Sequence, residues 1–83
     1  MKVYGRKKKS SKAIKLSEVS IDANLEELKT IINGLVKFEK QVEKYLNADS
    51  QDDYVGHFHY RDYSSLWSAG DSDFIVCVSQ KNT

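Results

Sequence analysis

The chain has one cysteine, one tryptophan and one methionine among its 83 residues. A single thiol, Cys77, excludes an intrachain disulfide, so no covalent cross-link can hold the fold. Its neighbours Ile75, Val76 and Val78 are apolar, and no basic residue lies within three positions to lower its pKa. That setting predicts a buried, unreactive thiol in a reducing compartment. Long apolar runs are also missing: nothing approaches the ~20 residues that cross a bilayer, and the N-terminal charges lead into no apolar signal segment. A soluble, cytoplasmic protein is the expectation. There is no internal repeat, and one domain spanning residues 1–83 is expected. At this size a fold buries only about 60 to 65% of its unfolded surface, so the core should be thin.

Acidic residues are absent from the first fifteen positions, which carry seven basic ones: Lys2, Arg6, Lys7, Lys8, Lys9, Lys12 and Lys15. From Leu16 onward twelve acids face six bases, so a near-neutral total hides a basic end and an acidic end. Residues 1–22 read as a basic β-hairpin, with a strand opening at Lys2-Val3-Tyr4, a turn over residues 8–11 and a second strand over residues 13–22. In that second strand Ile14 and Leu16 share one face whereas Val19 and Ile21 share the other, which calls for a bulge near Ser17-Glu18 or for cover on both faces.

A helix over residues 24–46 has the clearest pattern. Asn24 stands three residues before Glu27, the spacing of a reciprocal cap. Leu28, Ile31, Leu35, Phe38, Val42 and Tyr45 then recur at steps of three and four, and Leu25, Ile32, Val36 and Leu46 widen the apolar stripe to about half the circumference. Such width, together with a thin core, favours a homodimer. Gly34 interrupts the helix among apolar neighbours, a sign of close backbone approach. After a polar loop over residues 48–53, a C-terminal strand pair fills residues 54–80. Its first strand, residues 54–62, alternates Val55, His57, His59 and Arg61 on one face with Tyr54, Phe58 and Tyr60 on the other, and the aromatic face should pack under the helix. The second, residues 74–78, is apolar on both faces. The expected fold is α+β, ββαββ, a small antiparallel sheet with one long helix packed across one face.

The stretch GHFHYRDYSSLW, residues 56–67, holds most of the reactive side chains. His57 and His59 project from one strand face about 7 Å apart, close enough to share an ion, but a zinc site takes three or four protein ligands. No metal and no cofactor is expected. Nor does any motif give Ser64, Ser65 or Cys77 both a base and an oxyanion donor, no glycine-rich phosphate loop occurs, and His59 and Asp62 differ in strand parity. A non-enzyme follows. Binding has the stronger basis, because Trp67 with Tyr60, Arg61 and Tyr63 supplies the residue types that dominate interface energies, amid acids that would steer a basic partner protein. His57, His59, Tyr60, Arg61, Asp62 and Trp67 are the expected contact residues; Trp67 and Leu66 could equally fold back to cap the core.

Four features together, Ile21-Asp22-Ala23-Asn24-Leu25-Glu26-Glu27-Leu28, His57-x-His59 with Asp62, the Trp67 loop and Asp73-Phe74-Ile75-Val76, resemble small bacterial immunity proteins of polymorphic toxin systems. The resemblance spans about residues 3–79. It implies a non-enzymatic inhibitor that binds a cognate toxin protein in the cytosol of the producing cell. The lysine turn at residues 7–9 departs from the family pattern. The alternative is a nucleic-acid-binding module using the basic segment, with Arg6, Lys7, Lys8, Lys9 and Lys12 on phosphates through counterion release. No membrane partner is expected.

Overall fold

A computed structural model describes residues 1–48 and 53–80. Elements follow in the order β1 (Val3–Gly5), β2 (Ile14–Leu16), α1 (Leu25–Asn47), β3 (Tyr54–His59), a 3-10 turn (Tyr60–Asp62) and β4 (Ile75–Ser79). The class is α+β and the order ββαββ, as expected. Its strands form two separate antiparallel ladders, β1 with β2 and β3 with β4, in place of one continuous sheet. Among the described residues no helix is long and apolar enough to cross a membrane.

The reciprocal cap exists: Asn24 Oδ1 accepts from the Glu27 N–H and Glu27 Oε1 from the Asn24 N–H, both at 2.9 Å. Two of the helix's free N-terminal donors are thereby satisfied, and the negative charges of Glu26 and Glu27 lie in the first turn, where the helix dipole favours them. At the other end the Ala48 N–H reaches back to the carbonyls of Lys44 and Tyr45. The polar loop expected over residues 48–53 lies outside the described residues at 49–52.

Packing centres on one ring. Phe58 is 1% exposed and Phe38 7%, and these are the only buried apolar side chains among the described residues. Phe58 stacks on Tyr63 with centroids 5.0 Å apart and meets Phe38 and Phe74 at 6.2 Å each. Gly34 lies directly over this ring, so that a Cβ built there would stand 2.6 Å from Phe58 Cε2 and 3.1 Å from Tyr63 Cγ. The glycine in the middle of α1 is therefore what lets the helix backbone settle onto the aromatic cluster.

Three expectations change. β2 ends at Leu16, so the opposite parity of Val19 and Ile21 needs no bulge: they lie beyond the strand, both about half exposed. Cys77 is exposed. With one helix available, only one side of the β3–β4 ribbon is covered, and alternation turns Cys77 and Ile75 to the open side while Val76 and Val78 face inward. Tyr54 also leaves the core face. The pairing runs from Tyr54↔Ser79 to Gly56↔Val78, two residues against one, and this bulge turns Tyr54 outward to the side of His57.

The N-terminal hairpin is closed by a turn in which the Ser10 N–H donates to the Lys7 carbonyl at 3.1 Å and Lys9 takes φ 63. Its register is Val3↔Leu16, Tyr4↔Lys15 and Gly5↔Ile14. Few contacts tie it to the helix or to the C-terminal ribbon.

Candidate functional site

The open side of the C-terminal ribbon gathers Tyr54, His57, His59, Arg61 and Asp73. β3 places His57 and His59 two residues apart on one face, with ring centroids 4.8 Å apart and an edge-on interplanar angle of 88°. The Tyr54 hydroxyl hydrogen-bonds with His57 Nδ1, an arrangement available only because the bulge brings that phenol outward. β3 then gives way to the 3-10 turn, while the Tyr60 N–H still reaches the Phe74 carbonyl at 2.8 Å. The strand expected to run to Asp62 therefore ends three residues earlier.

Asp73 organises the centre of this face. Its Oδ2 accepts from His59 Nδ1 at 2.6 Å, and its Oδ1 accepts from the backbone N–H groups of Arg61 at 3.0 Å and Phe74 at 2.9 Å. The Arg61 Nε lies 3.8 Å from Asp73 Oδ2 and 4.0 Å from Asp62 Oδ1. Partial burial alone would raise the Asp73 pKa. The hydrogen bonds from His59, Arg61 and Phe74, with the charge of His59, outweigh that and hold the carboxyl below its ordinary value of 3.8. A depressed carboxylate pKa stabilises the fold at pH values above the unfolded value, and the contribution is lost as pH falls through the folded pKa. Asp73→Asn should accordingly cost roughly 1 kcal/mol near neutrality and flatten the acid limb of stability below pH ~4. Urea unfolding at stepped pH checks it: an unchanged acid limb in the variant would mean that Asp73 does not organise this face.

Of the sequence-predicted contact residues, His57, Arg61 and Asp62 are exposed and His59, Tyr60 and Trp67 are half-buried. The Trp67 indole N–H donates to the Ser72 carbonyl at 2.9 Å, which fixes the loop rather than the core. Leu66 is 85% exposed and caps nothing. The same loop turns at Ser68 to Asp71, where the Asp71 N–H meets the Ser68 carbonyl at 3.0 Å and Gly70 takes φ 100, a value that suits a residue without Cβ. Tyr63, expected beside Trp67 on the binding surface, instead stacks on Phe58 in the core. His59 pairs with Asp73 and not with Asp62.

Asp73 and Tyr54 are the site residues that sequence reasoning missed. Parity along β4 places Asp73 with Ile75 and Cys77, the open side, and that much could have been read. Among the described residues no group of three or more His, Cys, Asp or Glu side chains is placed to hold a metal ion. Comparisons with protein-family models, curated proteins and solved structures find no match for the chain.

Proposed function

We propose that this chain acts by binding another protein, as a non-enzymatic immunity protein that neutralises a cognate bacterial toxin in the cytoplasm of the cell that makes it. The observation that carries this reading is the ribbon's open side, where the His59 imidazole and the Arg61 backbone are held by Asp73 and the His57 imidazole by the Tyr54 hydroxyl before any partner arrives. Such pre-organisation lowers the ordering cost of binding. Arg61 and His57 are the exposed members best placed to touch a partner, with Tyr60, His59 and Trp67 offering their uncovered edges. Asp62 and Asp71 add an exposed acidic margin that favours a basic partner surface and speeds its approach. Asp49 and Asp52, also expected in that margin, lie outside the described residues. The resemblance of the His57-x-His59 strand and its surroundings to toxin-immunity proteins supplies the class of partner.

The reading is tested by co-expressing the chain with a candidate cognate toxic domain. Growth should be restored, and restoration should fail with His57→Ala combined with Arg61→Ala. Protection by the doubly substituted chain would overturn the assignment of this face. Arg6, Lys7, Lys8, Lys9 and Lys12 are all exposed on one hairpin, the observation that favours nucleic acid as the second reading. An oligonucleotide complex that survives ~150 mM salt and disappears when those charges are neutralised would favour it over the toxin.

A further inference from the structure

Beside the aromatic core, on the flank of α1 that faces β4, runs an open groove of about 390 Å³. Its floor is Leu35, Phe38, Val42, Val76 and Val78, and its rim carries Glu39 and Glu43. Along the helix the same shoulder continues through Leu28 and Ile32, seven and three residues before Leu35, each about half exposed. Among the described residues β4 pairs along one edge only, with β3. Apolar floor, acidic rim and an open strand edge therefore lie side by side.

The chain as it stands exposes 7234 Å². A compact monomer of 9.5 kDa exposes only about 5,000 Å². Its radius of gyration, 14.2 Å, likewise exceeds the roughly 12 Å of a compact chain this long. Large apolar side chains are part of that exposure: Leu28, Ile32, Val36 and Leu46 along α1 are each about half exposed. Only Phe38 and Phe58 are buried apolar side chains among the described residues, so cover is needed whenever the chain is folded, not only when a target is present.

The chain itself carries a complementary piece. Its N-terminal hairpin has seven basic residues and no acid through Lys15, shows Tyr4 and Ile14 about half exposed, and has few contacts with its own helix or ribbon. We propose that the groove between α1 and β4 is occupied by the basic N-terminal hairpin of a second copy of this chain, the exchange being reciprocal. Two identical contacts related by a two-fold axis close the assembly at a dimer. Each protomer's two ladders are then completed from the other, Lys12 and Lys15 standing against the partner's glutamate rim. The open histidine face lies on the other side of the ribbon and stays available. Dimerisation through the groove does not depend on what that face binds.

Sedimentation velocity on the full chain tests the proposal. A species of twice 9.5 kDa is expected at micromolar concentration, loosening as salt is raised. Glu39→Lys with Glu43→Lys should weaken association roughly tenfold, as should Lys12→Glu with Lys15→Glu, whereas the chain bearing all four changes should recover it. Helical circular dichroism confirms that each variant is folded. A monomer at 100-micromolar order, a dimer indifferent to either charge reversal, or a quadruple variant no better than the pairs would overturn it. A monomer that still neutralises a toxin would overturn the dimer alone and leave the binding function standing.

Discussion

Phe58→Ala is expected to abolish cooperative unfolding. Emptying the site of a fully buried phenylalanine costs about 3–5 kcal/mol, and a domain of this size has about that much stability in total. No other ring could fill the space, because Phe38, Tyr63 and Phe74 all pack against Phe58 and not against one another in the contacts seen. A thermal scan followed by circular dichroism should show a sloping loss of signal in place of a transition. Phe58→Leu, which keeps most of the volume, should retain one. A sharp transition in the alanine variant within a few degrees of the parent would mean that the core lies elsewhere.

Gly34→Ala should destabilise, against the ordinary rule for helices. In a helix interior this change normally gains up to about 1 kcal/mol. Here the added methyl would stand 2.6 Å from Phe58 Cε2 and 3.1 Å from Tyr63 Cγ, so that the fully buried Phe58 ring would have to shift. Overpacking of this kind costs about 1–3 kcal/mol and wins over the propensity gain. The exposed neighbour Asn33 gives the control, since Asn33→Ala should follow the ordinary rule and stabilise slightly. Urea midpoints moving in opposite directions for the two variants are the expected result. A stabilised Gly34→Ala would show that helix and ribbon sit further apart than described.

The long helix was legible because its signals are local. A cap three residues from its returning carboxylate, and apolar residues at steps of three and four, need no knowledge of the rest of the chain, and Asn24, Glu27 and Phe38 stand as read. Gly34 was legible as a close approach, though not what it approached. Two of the misreadings concern which way a strand residue faces. Cys77 sits in an apolar run, and that run reads as buried on both faces unless it is known that a single helix covers a single side. Tyr54 fails for another reason: one extra residue in the bulge reverses its direction, and alternation carries no mark of where the extra residue falls.

Partner choice across the ribbon was equally out of reach. His59 and Asp73 are fourteen residues apart and meet because the register sets His59 against Ile75. The loop that joins the two strands around Trp67 is closed by bonds from Trp67 to Ser72 and from Ser68 to Asp71. Asp62, nearer in sequence but of the other strand parity, lies in the 3-10 turn and is exposed beside Arg61. The structure also separates two roles that looked alike in the sequence: His59 holds the face together through Asp73, whereas exposed His57 bonds with Tyr54 at its margin. Substituting His59 therefore mixes binding with stability, and His57 gives the cleaner test.

In the proposed function a partner protein is gripped by the open side of the β3–β4 ribbon. Calorimetric titration of the purified chain with a candidate cognate toxic domain, using His57→Ala and Arg61→Ala beside the parent, reads the contribution of that face. Each change should weaken binding by roughly 1–2 kcal/mol, about five- to thirtyfold, while the thermal midpoint stays where it was. Equal affinity for parent and variants, all folded, would contradict it.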